Sequence, residues 1–66
     1  LRPDDVTVYR NLGALLHLKG RWNEAEDNYK LALQFSPDDQ MTHINIKRLR
    51  QAVEQQHRKL RKNDSH

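Results

Sequence analysis

Apolar and polar residues follow one another along this chain with a helical period. Between Asp5 and Lys19, the apolar residues Val8, Tyr9, Leu12, Leu15, Leu16 and Leu18 recur mainly three or four positions apart, which gathers them on one helical face. From Trp22 to Phe35 a second stripe follows, made of Trp22, Ala25, Tyr29, Ala32, Leu33 and Phe35, with Glu24, Glu26, Asp27 and Lys30 left for water. A third stripe starts near Asp39 with Met41, Ile44, Ile46, Leu49, Val53 and Leu60, and it thins toward Arg61. The pattern predicts three helices and an all-α fold.

Helix breakers divide the chain at the same places. Asp4 and Asp5 follow Pro3 and offer an N-cap and negative charge where a helix dipole favours it. Lys19-Gly20 supplies a basic last turn and a glycine stop. Ser36 precedes Pro37 and is pushed out of helical geometry, which should end the second helix. Asn63, Asp64, Ser65 and His66 read as a frayed tail.

The chain also repeats itself. Leu1-Arg2-Pro3-Asp4-Asp5 returns as Phe35-Ser36-Pro37-Asp38-Asp39, and Asn11-Leu12 returns as Asn45-Ile46, both 34 residues later. That period belongs to stacked helix-turn-helix units. The expected division is the end of a preceding repeat and linker over 1–5, one complete repeat over 6–39, a C-terminal capping helix over 40–62, and the tail over 63–66.

Size and composition change this picture in three ways. A chain of 66 residues allows one small domain that buries about 60% of its unfolded surface, so its core is marginal. It has no cysteine, so neither a disulfide nor a cysteine-based metal site can staple it. Its longest apolar run, Ala14-Leu15-Leu16, is far below the roughly 20 residues that span a bilayer. Leu1-Arg2-Pro3-Asp4 has no apolar stretch of the signal-peptide kind either.

The net charge of +3 is unevenly distributed. Residues 1–39 carry five Lys/Arg against seven Asp/Glu, and residues 40–66 carry seven against two.

At these residues the chain resembles the tetratricopeptide-repeat (TPR) family. On the first helix that family places an aromatic, a leucine, a small residue and a large apolar residue, filled here by Tyr9, Leu12, Gly13 and Leu16. On the second it places a small residue, an aromatic, another small residue and a closing proline, filled by Ala25, Tyr29, Ala32 and Pro37. Gly20 fits the turn between them. The small residues stand where two helices must approach closely, and the large ones fill the space beside them. All eight are read as packing residues that need no ligand. The third helix begins as another repeat and then departs, with Lys47 for Gly13 and Arg50 for Leu16, as a polar terminal cap would. The resemblance implies the end of a right-handed α-solenoid, open on its N-terminal side.

It also implies a function. In TPR arrays the first helix of each repeat lines a concave groove for a peptide or protein partner. The positions facing it would be Thr7, Arg10, Asn11, Ala14 and His17, continued by Ile44, Asn45, Arg48 and Gln51 from the third helix. An asparagine amide both donates and accepts, so Asn11 and Asn45 can grip an extended backbone. Arg10 and Arg48 can pair with a carboxylate. Against this stands the simpler reading that the fragment only caps the array.

A narrower resemblance lies in Asn11-Leu12-Gly13-Ala14-Leu15-Leu16-His17-Leu18, the Pro37-Asp38-Asp39 turn, and Asn45-x-x-Arg48-Leu49. It is to the C-terminal end of the endoplasmic-reticulum transmembrane-and-TPR proteins implicated in protein O-mannosylation. If it holds, the sugar-transfer chemistry lies outside these residues and the compartment is the endoplasmic reticulum; otherwise the cytoplasm is the alternative.

Catalysis finds no footing in the residues. There is no cysteine nucleophile, no Gly-x-Ser-x-Gly elbow and no Gly-rich phosphate loop. His17, His43, His57 and His66 never form the i, i+4 pair of a helical zinc site, so no metal or other cofactor is expected. Asp38-Asp39 reads as a helix cap. The basic run from His57 to Lys62 lacks aromatic residues for base stacking, which argues against nucleic acid and for a solvated helix end. Ile46, Leu49, Val53, Gln56 and Leu60 keep a heptad-like spacing that allows weak self-association.

Overall fold

The computed structural model describes residues 5–64, with side-chain surroundings given for residues 5–59. Helix α1 runs Asp5–Leu18, α2 runs Trp22–Phe35 and α3 runs Gln40–Asp64. Asn63 and Asp64 therefore continue α3 and do not form a separate tail. Of the expected preceding-repeat end and linker over 1–5, residues 1–4, with the Asp4 cap, lie outside the described residues, as do Ser65 and His66, while Asp5 opens α1.

Each helix end has a local cause. At the close of α1 the Gly20 amide donates to the His17 carbonyl at 3.0 Å, and the Arg21 amide donates to the Leu16 carbonyl at 2.9 Å. These are the two bonds of a Schellman ending, which needs a left-handed residue; Gly20 supplies it with φ +77°. The turn delivers α2 back along α1 as an antiparallel hairpin. At the end of α2 the Ser36 amide donates to the Ala32 carbonyl at 3.0 Å before Pro37 stops the helix. Asp39 then starts α3: its Oδ2 accepts the Thr42 backbone amide at 3.1 Å and the Thr42 hydroxyl.

The first two helices touch most closely where side chains are smallest. A Cβ added to Gly13 would sit 2.6 Å from Cε1 and 2.7 Å from Cδ1 of Tyr29, so the Tyr29 ring lies directly against the α1 backbone. Ala25 and Ala32 flank that ring on α2 and are fully buried. Tyr9 stacks on Phe35 with centroids 5.5 Å apart, closing the other end of the pair.

The main core lies between α2 and α3. Ala25, Tyr29, Ile46 and Leu49 form it, with Leu16, Trp22, Leu33 and Val53 packed around them. Ile46 and Leu49, the first two residues of the heptad-like stripe of α3, are thus held by α2, while Gln56 further along it is exposed. Each of the first two helices has 14 residues and α3 has 25. At about 1.5 Å per residue α3 therefore outreaches its neighbours, and from Glu54 to Lys59 all its side chains are exposed.

Candidate functional site

The 34-residue offset sets α3 beside α1 as the next first-type helix, with α2 packed against both. Ala14, His17 and Leu18 from α1, Tyr29 from α2, and Asn45 and Arg48 from α3 line one shallow hollow of about 220 Å³. Four of the nine expected groove residues, Ala14, His17, Asn45 and Arg48, therefore meet. The 34-residue repeat relates Ala14 to Arg48, and the return turn at Gly20 and the Asp39 cap bring the four together in space.

Chemically the hollow is amphipathic. Ala14 and Leu18 give it apolar wall, and Asn45 offers an amide that can both donate and accept. Arg48 is exposed and has no ion-pair partner among the described residues, so its guanidinium is available to an acidic group. The His17 ring meets Trp22 edge-on, with centroids 5.5 Å apart, which fixes one wall. Burial pushes the Tyr29 phenol above its ordinary value, so it stays a neutral hydroxyl.

The other five expected groove residues lie elsewhere. Arg10 donates through a guanidinium nitrogen to Asp39 Oδ2 at 2.8 Å, with both side chains about one-fifth exposed. Its charge is committed within the chain, which corrects its reading as a free cation for a partner. Asn11 is exposed and does not line the hollow, so the two asparagines do not converge on one pocket. Thr7, Ile44 and Gln51 are also exposed and stand outside it.

Sequence reasoning missed Tyr29 and Leu18 as lining residues. The signal for Tyr29 was present in Gly13: a glycine opposite an aromatic lets the ring pass against the helix backbone and reach its far side. The Arg10–Asp39 bond left no such trace, because a 29-residue separation matches neither helix spacing nor the repeat.

No group of three His, Cys, Asp or Glu among the described residues could hold a metal ion. Among them, no helix is long and apolar enough to cross a membrane.

The human protein O-mannosyl-transferase TMTC2 is 48% identical over 56 residues, covering 85% of this chain and 7% of that protein. The human protein O-mannosyl-transferase TMTC1 is 35% identical over 49 residues, covering 74% of the chain and 6% of that protein. The chain thus spans less than a tenth of either relative's length. No solved structure matches it. The tetratricopeptide-repeat profile matches residues 6–39, the hairpin in which Tyr29 lies against Gly13. With more than half of its residues inside that match and three helices packed in that manner, the chain belongs to the tetratricopeptide-repeat family.

Proposed function

We propose that this chain is a protein-interaction module that holds a peptide or protein partner over the hollow between α1 and α3. The meeting of Ala14, His17, Asn45 and Arg48 in that hollow carries the reading. An extended acidic segment suits it: Asn45 bonds the partner's backbone, Arg48 takes a carboxylate, and Ala14 with Leu18 accepts an apolar side chain. As a repeat module the segment is not itself an enzyme.

The test is a binding titration of acidic peptides against the native chain and the Arg48→Ala and Asn45→Ala variants. Loss of the Arg48 contact should weaken binding about tenfold while helical circular dichroism stays unchanged. Equal affinities in all three would leave the fragment as a cap only, a reading that Lys47 and Arg50 favour.

A second reading rests on the 48% identity to a protein O-mannosyl-transferase. In it the hollow belongs to the TPR arm of a membrane-bound transferase of the endoplasmic reticulum and presents protein acceptors to it. In the full-length protein, Arg48→Ala with Asn45→Ala should then slow transfer to protein acceptors more than to a short peptide acceptor.

A further inference from the structure

On the other side of α3 lies a larger groove of about 530 Å³, bounded by α2 and α3 and separate from the hollow. Trp22, Leu49 and Val53 form its apolar floor, with Glu26 and Asn23 on one rim and Arg50, Glu54 and His57 on the other. The repeat relation says what an ordinary array would place there. Leu16 corresponds to Arg50 and packs toward α2, so the face carrying Arg50 is where a further second-type helix would lie. Such a helix would meet a different surface here. Gly13 admits an aromatic ring within 2.6 Å of a would-be Cβ, whereas its counterpart Lys47 carries a full side chain.

The charges of the groove specify a different occupant. Glu26 has Lys30 at 3.8 Å and Glu54 has Arg58 at 2.7 Å, so both carboxylates are offset on their own helices. Arg50 has no such partner among the described residues, and Lys47 lies one turn before it, also exposed. An apolar floor beside uncompensated cations fits an amphipathic helix with an acidic flank. We propose that the α2–α3 groove is a second docking surface, distinct from the concave hollow, for an amphipathic partner helix whose apolar stripe covers Trp22 and Val53 above the buried Leu49 and whose acidic edge meets Arg50 and Lys47.

Trp22 is the chain's single tryptophan and reports directly on this groove. The experiment titrates the chain with two tryptophan-free helical peptides that share a leucine stripe, one flanked by glutamates and the other by lysines. The glutamate peptide is expected to shift Trp22 emission to the blue with saturation. Arg50→Glu should weaken that binding at least about fivefold, and Arg48→Glu in the hollow should leave it unchanged. Arg50→Gln serves as the second variant if Arg50→Glu lowers helical circular dichroism. Equal response to both peptides, or dependence on Arg48 instead of Arg50, overturns the proposal; the latter would act through the His17–Trp22 contact. It is likewise overturned if Trp22 shifts with chain concentration alone, or with phosphatidylserine vesicles and not with the glutamate peptide.

Discussion

At the residue scale, two contacts set the geometry, and each can be tested alone. The Tyr29 ring occupies the space where a Cβ on Gly13 would stand. Gly13→Ala gains roughly 1 kcal/mol of helix propensity but overpacks a fixed ring, at a cost of about 1–3 kcal/mol. The net expectation is a lowered melting temperature. Tyr29→Leu should make the same substitution much less harmful, a non-additivity that a double-mutant cycle would read out. The second contact is Asp39. The Thr42 hydroxyl holds its carboxyl below the ordinary carboxylate value, Arg10 helps, and partial burial opposes them. A depressed folded value means that the unfolded chain takes up the proton more readily. The stabilisation is therefore fully present above the unfolded value near 3.8 and is lost as pH falls through the lower folded one. Melting followed from pH 7 into the acid range should fall less steeply for Asp39→Asn than for the native chain. Asp39→Ala, which also loses the cap, should cost about 0.5–2 kcal/mol at neutral pH.

At the element scale, the three helices were legible in the sequence because period, caps and breakers agree. Gly20 and Pro37 end their helices by the mechanisms their chemistry predicts, and Asp39, the helix-cap residue, turned out to cap α3. The reading placed the end of α3 at residue 62, two short of Asp64, although its apolar stripe fades before either. Intrinsic propensity carries the last turns: Gln55, Gln56, Arg58 and Lys59 are good helix formers with nothing to pack against. Such a segment is helical yet weakly held. Amide hydrogen exchange should therefore be slowest near Tyr29–Ala32 and Ile46–Leu49, and fast from about His57 onward. Uniform protection along α3 would show that something covers its far half. The site was half legible for a related reason. The repeat spacing aligned α1 with α3 and so found Ala14, His17, Asn45 and Arg48, while side-chain reach decided Tyr29 and Arg10.

At the scale of the whole molecule, the repeat makes α1 and α3 equivalent in sequence and unequal in surroundings. Thr42, Ile46 and Leu49 are 0%, 9% and 2% exposed, and α2 covers the last two. Their counterparts 34 positions earlier, Val8, Leu12 and Leu15, are 55%, 41% and 48% exposed. The same face is thus dry on α3 and wet on α1. With its N-terminal side uncovered, the chain should be stable by only a few kcal/mol, consistent with its small core. The equivalence also predicts how substitutions scale. Ile46→Ala empties a packed site and should cost about 2–4 kcal/mol. Leu12→Ala removes a side chain already in contact with water and should cost under about 1 kcal/mol in this chain. Joining a copy of the α1–α2 hairpin ahead of Asp5 would lay a second-type helix on Val8, Leu12 and Leu15, as α2 lies on α3. In that longer chain the Leu12→Ala cost should rise toward that of Ile46→Ala, as measured by denaturant unfolding. If the two costs stay apart once the hairpin is present, the stacking seen between α2 and α3 is particular to the terminal helix and not the rule by which the repeat propagates.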